Sequence, residues 1–145
     1  MAEGKRPGGL TALAVLNFVF GGLGAIGALL MIGLIAVTKS AISAAESAGG
    51  SIKYEGPSMM SIYILVLLSI IGTILMIMAG VGYLKQKRFL GRTIGNGYAF
   101  VSIASSIVGI VLAKQGFGIG AIIGLIYPVL TIILINGTFK DDLVN

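Results

Sequence analysis

Apolar residues in this chain fall into four long runs that contain no charged side chain. The runs cover residues 10–37, 58–84, 93–113 and 115–139. A helix that crosses the hydrocarbon core of a bilayer needs about 20 apolar residues, and each run is long enough. None shows the alternation of apolar and polar positions that a membrane β-strand requires. The pattern therefore predicts an all-α, four-helix transmembrane bundle.

On this interpretation the whole chain, residues 1–145, forms one membrane domain. The predicted helices cover residues 10–37, 58–84, 93–113 and 117–138. The first run follows Lys5 and Arg6, as the core of a secretory signal peptide would. A signal core spans only about 7–15 residues, however, and this run is much longer. We therefore expect a retained helix.

The composition agrees with a location inside a membrane. Of the 145 residues, 57% are hydrophobic and 10% are charged, and the mean hydropathy is +1.05. A soluble domain of this size has too little interior to bury so much apolar surface. The chain contains no cysteine, histidine or tryptophan, which excludes disulfides, thiolate or imidazole metal sites, and catalysis by Cys or His. We expect no cofactor.

All carboxylates lie outside the four runs: Glu3, Glu46, Glu55, Asp141 and Asp142. A proton-coupled transporter normally keeps a titratable group inside the membrane, and a serine hydrolase needs a base beside its nucleophile. The runs offer neither group. The sequence therefore predicts that the protein is not an enzyme.

Basic residues are unevenly divided between the two sides of the predicted bundle. With four spans, both termini and the connector between the second and third helices share one side. That side carries Lys5, Arg6, Lys85, Lys87, Arg88, Arg92 and Lys140. The other side carries Lys39, Lys53 and Lys114. Because cytoplasmic loops are enriched in lysine and arginine, both termini are predicted to be cytoplasmic.

The connector over residues 85–92 holds a cluster of basic side chains, Lys85, Lys87, Arg88 and Arg92. A basic residue beside an anionic leaflet contributes about 1 kcal/mol of attraction. The cluster is therefore expected to contact anionic lipid headgroups while it sets the topology. Docking of an acidic protein partner is the alternative, and nucleic acid is not an expected partner.

The fourth predicted helix has glycines four residues apart, at Gly116, Gly120 and Gly124, and Pro128 continues the same stripe. Small residues let helices approach closely in lipid, where hydrophobicity does not drive their association. Pro128 lacks the N–H that would bond the carbonyl of Gly124. That carbonyl needs another donor, so the stripe is expected to face inward.

The third predicted helix has a second small face, formed by Ser102, Ser106 and Gly109. The first helix carries glycines on more than one side. Such faces fit packing inside the bundle, and they also fit an interface with another subunit. The sequence leaves both possibilities open.

Amide side chains form a possible polar cluster near the cytoplasmic end of the bundle. Asn17, Asn96 and Asn136 fall in the same leaflet of the predicted topology, and Tyr83 ends the second helix on that side. Amides can cross-link membrane helices by about 0.6–2 kcal/mol per hydrogen bond. The cluster either holds the helices together or forms a vestibule for a neutral ligand or a lipid headgroup. Tyr127 is expected to hydrogen-bond across the bundle.

Three short features of the chain carry a resemblance to known proteins. They are RPGGLT at residues 6–11, IYPVL at residues 126–130 and the late Asn136. With these features, the layout of the whole chain resembles small uncharacterised prokaryotic four-helix membrane proteins. The resemblance implies a location in a prokaryotic cytoplasmic (inner) membrane, and it implies no activity.

Two functions are compatible with these patterns. The first is a non-catalytic membrane subunit that packs in a homo-oligomer or as an accessory or scaffold component of a larger membrane protein complex. Small-residue faces and short loops favour it. The alternative is a small pore, a holin-like protein or a facilitator for a neutral or lipidic solute. Ser102, Ser105 and Ser106 would then supply the polar stripe.

Overall fold

The computed structural model describes residues 7–112 and 118–144, and within these residues all regular structure is helical. The helices are α1 (Gly8–Ser47), α2 (Met59–Leu84), α3 (Ile94–Val111) and α4 (Ile119–Ile133). Two π-helical turns extend them, π1 (Phe89–Thr93) before α3 and π2 (Leu134–Thr138) after α4. Four helical segments are long and apolar enough to cross a membrane. The predicted all-α, four-helix transmembrane fold is confirmed, and the orientation of its termini stays a prediction.

Helix α1 is longer than the first uncharged run. Its 40 residues correspond to about 60 Å at a rise of about 1.5 Å per residue, twice the hydrocarbon thickness of about 30 Å. The helix ends where Gly49 adopts a left-handed φ of 75°. There the Gly50 N–H donates to the carbonyl of Ala45 at 2.9 Å, and the Gly49 N–H donates to that of Glu46 at 3.1 Å. This pair of bonds is a Schellman motif, which ends the helix. Because α1 is about twice as long as the hydrocarbon core is thick, it projects beyond that core.

Each helix packs along the helix that follows it in the chain, whereas α1 and α4 do not pack along each other. The close contacts between α1 and α2 depend on glycine. A Cβ at Gly21 would lie 2.9 Å from a side-chain carbon of Ile77, and a Cβ at Gly24 would lie 2.8 Å from the hydroxyl of Thr73. Neighbouring helices are consequently packed closely, whereas α1 and α4 approach each other less extensively.

One end of the bundle has a compact core, which we call the closed end. Leu10 of α1, Tyr83 of α2, Ile135 of π2 and Leu143 of the C-terminal segment are buried together there. The beginning of α1 and the end of the described chain therefore lie at the same end, together with the connector between α2 and α3. We call the opposite half of the bundle the open end.

The connector folds tightly against α2 at the closed end. A Cβ on Gly82 would collide with backbone atoms of Leu90 and Gly91, so only glycine allows this approach. Gln86 reverses the chain with a left-handed φ of 50°. Leu143 then packs against Gly91, where an added Cβ would lie 2.8 Å from the leucine side chain. The C-terminal segment is thus held against the connector.

Candidate functional site

A cavity of about 700 Å³ lies among all four helices in the open half of the bundle. The described residues that form its walls are mainly apolar, and none of them is charged. Several hydroxyl groups interrupt the apolar lining, at Ser69, Thr73, Ser102, Ser105 and Ser106. In this bundle α1 and α4 do not pack along each other as successive helices do, and the cavity has both of them among its walls. Its chemistry suits a neutral molecule with apolar surface and a few hydrogen-bonding groups.

Aromatic rings form the floor of this cavity. The rings of Phe20 and Tyr127 meet edge to face, with centroids 5.0 Å apart and an interplanar angle of 73°. The ring of Tyr98 lies 6.4 Å from that of Tyr127. Both arrangements are favourable geometries for aromatic pairs. The three rings lie on the side of the cavity nearest the closed end.

A buried hydrogen-bond network lies directly below the floor. The hydroxyl of Tyr127 donates to the side-chain oxygen of Asn17 at 2.5 Å, and the amide nitrogen of Asn17 donates to the carbonyl of Met76 at 3.1 Å. These bonds connect α4, α1 and α2. Asn17 is fully buried, so the bonds satisfy polar atoms that would otherwise be costly in an apolar interior. Tyr127 does hydrogen-bond across the bundle.

The other two amides pair with each other at the closed end. Asn136 of π2 donates to the side-chain oxygen of Asn96 at 2.7 Å, and Asn96 donates back at 3.3 Å. The Nε of Arg92 also donates to the side-chain oxygen of Asn136, at 2.9 Å. The structure therefore divides the predicted polar cluster into two networks, with Asn17 in the first and the Asn96–Asn136 pair in the second.

Tyr83, the fourth member of the predicted cluster, belongs to neither network. Its side chain is fully buried in the core of the closed end. Its hydroxyl oxygen lies 2.5 Å from the position of a Cβ on Gly95. It has no hydrogen-bond partner among residues 7–112 and 118–144. Tyr83 serves packing here and does not line the cavity.

Gly124, one member of the stripe on α4, contacts α3. The Ser106 hydroxyl donates to the Gly124 carbonyl at 3.2 Å, sharing its proton with the carbonyl of Ser102 at 3.1 Å. The Gly124 carbonyl is the one that Pro128 leaves without its helical partner. Pro128 itself is fully buried.

The remaining members of the two small-residue faces have different positions. Gly109 is buried on α3, and Gly120 lies in the first turn of α4. Gly116 falls outside the described residues. The two faces thus meet at Ser106 and Gly124, beside the cavity that both residues line.

The basic connector is not a uniform surface. Lys85, Lys87 and Arg88 are exposed, and Arg92 is half-buried. Arg88 and Arg92 line a second cavity together with Lys140, whereas Lys85 and Lys87 do not line it. The four basic residues that share one short stretch of sequence therefore have different surroundings.

Ser69 and Thr73 of α2 also line the cavity, and they are not among the residues predicted from the sequence. They are one helical turn apart, as are Ser102 and Ser106 on α3, and residues at this spacing share a face. Matching hydroxyl pairs on two adjacent helices were the available signal. No known protein family, curated protein or solved structure matches this chain. The function of the chain must therefore be inferred from its own geometry.

Proposed function

We propose that the protein is a non-catalytic membrane subunit that packs through the outward face of α1 against another membrane helix. That helix belongs to a second copy of the chain or to a larger membrane complex. The proposal is supported chiefly by the difference between the glycines on the two faces of α1. It does not depend on which side of the membrane holds the termini.

The glycines that face α2 have an evident packing role, but others on α1 do not. No atom of residues 7–112 or 118–144 lies within 4 Å of a Cβ placed at Gly22 or Gly33. These two glycines are about three helical turns apart and so share a face. Leu29 lies between them and is 69% exposed. A glycine in a helix interior costs about 1 kcal/mol of stability relative to alanine. Because Gly22 and Gly33 contact nothing inside the chain, their presence fits close packing of this face against a partner helix.

Leucine at both Gly22 and Gly33 should dissociate the assembly while leaving the fold intact. Each added side chain has room within the chain, but it would prevent close approach of a partner helix. We expect the dissociation constant to rise by about tenfold or more, which corresponds to about 1.4 kcal/mol. The mass of the intact assembly in mild detergent measures this change.

Ala104→Leu is the matched control for this pair of substitutions. Ala104 is exposed on α3, so the variant places a leucine side chain on a different exposed surface. It should leave the assembly unchanged. The proposal would be contradicted if both variants dissociated equally. It would also be contradicted if the wild-type chain were monomeric and recovered no stoichiometric partner from its native membrane. The masses recovered also distinguish a homo-oligomer from a larger complex.

The cavity supports a second candidate function, a facilitator for a neutral or lipidic solute. Its uncharged lining and its hydroxyl groups suit such a solute. In this conformation the aromatic floor closes the cavity toward the closed end. Passage would therefore require Tyr127 to leave Asn17, whose side-chain oxygen accepts its hydroxyl hydrogen.

Flux of glycerol into liposomes that contain only this protein tests the second candidate. A facilitator should raise the flux above that of protein-free liposomes. Gly27→Leu should return it to the protein-free level, because Gly27 lines the cavity and a Cβ there meets no atom within 4 Å. Ala104→Leu should conduct like the wild type. Flux that Gly27→Leu leaves unchanged would argue against passage through this cavity.

A further inference from the structure

A second cavity, of about 430 Å³, lies at the closed end between the connector and the C-terminal segment. It is lined by Arg88, Arg92, Lys140, Asp141, Leu143 and Val144. Its basic residues come from two parts of the chain that are far apart in sequence. The cavity is therefore a product of the fold, and the run of basic residues in the connector does not form it alone.

Specific contacts hold the two walls of this cavity together. The Val144 N–H donates to the carbonyl of Gln86 at 3.2 Å. The side chain of Gln86 donates to the carbonyl of Asp142 at 3.3 Å. Leu143 is only 2% exposed and anchors the segment against Gly91. These contacts hold the C-terminal segment, which carries Lys140, against the connector.

The cavity carries an excess of positive charge. Its lining contains three cationic side chains and one carboxylate, that of Asp141. In the described part of the chain the one ion pair within 4.0 Å joins Lys53 and Glu55, which are remote in sequence from this cavity. The three cations of the cavity therefore outnumber its carboxylate, and none of them forms an ion pair within 4.0 Å with a carboxylate of the described residues. A buried or half-buried cation without a counterion favours binding of an anion.

Arg92 is held in position for such an anion. Its Nε donates to Asn136, which is itself fixed by its pairing with Asn96. The guanidinium group has further N–H donors at its terminal nitrogens, arranged in a fork that matches a phosphate. Arg92 lies in π1 and Asn136 in π2, and π-helical turns frequently occur at functional sites. The Asn96–Asn136 pair thus acts as a support for Arg92.

We propose that this cavity binds the phosphate of an anionic phospholipid headgroup. The cavity lies where membrane-spanning helices end, which is the level of the headgroups, and basic pockets between helix ends are suited to them. Apolar groups accompany the cations. Phe89, next to Arg88 in the chain, is 66% exposed, and Val144 in the lining is 64% exposed. Exposed apolar side chains favour a lipid interface over water. They therefore favour the phosphate of a lipid headgroup over free phosphate as the ligand.

The connector supplies a matched pair of variants for testing this proposal. Arg88→Gln with Arg92→Gln removes two cations that line the cavity, and Lys85→Gln with Lys87→Gln removes two that do not. The protein is purified in mild detergent with a mixture of phosphatidylglycerol and phosphatidylcholine, and bound lipid is counted by native mass spectrometry. The first variant should lower retention of phosphatidylglycerol by about fivefold per cation removed, the factor typical of a basic residue at an anionic leaflet. The second should retain as much as the wild type.

Lys140→Gln gives a test outside the connector, and it should also lower retention by about fivefold. Inorganic phosphate in large excess should not displace phosphatidylglycerol. Equal losses in the two double variants would show diffuse attraction and overturn the proposal. Displacement of the lipid by inorganic phosphate would overturn it in favour of a soluble anion. Helical content and a monodisperse elution profile verify that each variant is folded, and none of these substitutions touches the outward face of α1.

Discussion

Alanine at Gly82 should destabilise the protein more than any other single methyl addition in the described chain. The new Cβ would collide with backbone atoms of Leu90 and Gly91, and its distance from the Cα of Gly91 would be 2.7 Å. A side chain in the way can rotate, as the ring of Phe139 can near Gly9, but a backbone cannot. Overpacking typically costs about 1–3 kcal/mol and sometimes more. We expect about 3 kcal/mol here, because the connector would have to separate from α2.

Gly97→Ala is the matched control for this experiment. Gly97 lies inside α3, and an added Cβ meets no atom within 4 Å. Alanine should therefore stabilise the helix by up to about 1 kcal/mol. Reversible unfolding in mixed micelles, followed by circular dichroism, measures both variants. If Gly82→Ala were as stable as Gly97→Ala, the close approach of the connector to α2 would be wrong.

The number and type of the helices were predictable because they depend on a local property. A long run without charge must be buried in lipid or in protein, and its backbone must satisfy its own hydrogen bonds. The need of the Gly124 carbonyl for another donor was also readable, since Pro128 removes a hydrogen bond at a known position. Ser106 meets that need. The sequence did not show which residue would do so.

The arrangement of the polar residues could not be predicted from their depth in the membrane. Asn17, Asn96 and Asn136 were placed in one leaflet, but depth does not specify the rotation of a helix. Each residue turns an α-helix by about 100°, so a polar residue faces a partner only when the packing of the whole helix allows it. In the structure α1 directs Asn17 toward Met76 and Tyr127. Asn96 and Asn136 face each other instead.

The second cavity could not be predicted from the sequence either, although its basic residues were assigned to one side of the membrane. Lys140 was counted with Arg88 and Arg92 only because all lie on one side of the membrane. Their assembly depends on Leu143 packing against Gly91. That contact joins residues far apart in the chain and has no local signature. Long-range contacts of this kind follow from the packed fold and not from periodicity.

Leucine at Asn17 is expected to cause the other large loss of stability, through the network below the cavity floor. The substitution leaves the Tyr127 hydroxyl without its acceptor and the Met76 carbonyl without the amide donor. A buried polar group that loses its partner costs about 1–3 kcal/mol. We expect a loss of about 3 kcal/mol, since Asn17 is fully buried. Unfolding in mixed micelles measures the loss.

A double-mutant cycle with Tyr127→Phe separates the hydrogen bond from the packing around it. The double variant should lose less than the two single variants together, by about 0.6–1.7 kcal/mol, the range measured for interhelical hydrogen bonds in a membrane protein. Tyr63→Phe is the control, because Tyr63 takes no part in this network and is 41% exposed. Tyr63→Phe should leave the free energy of unfolding unchanged. A coupling of zero would mean that Asn17 and Tyr127 do not form a hydrogen bond.

The same hydrogen bond holds Tyr127 in the floor of the cavity. If the facilitator function holds, Tyr127→Phe should therefore also loosen the barrier and increase glycerol flux.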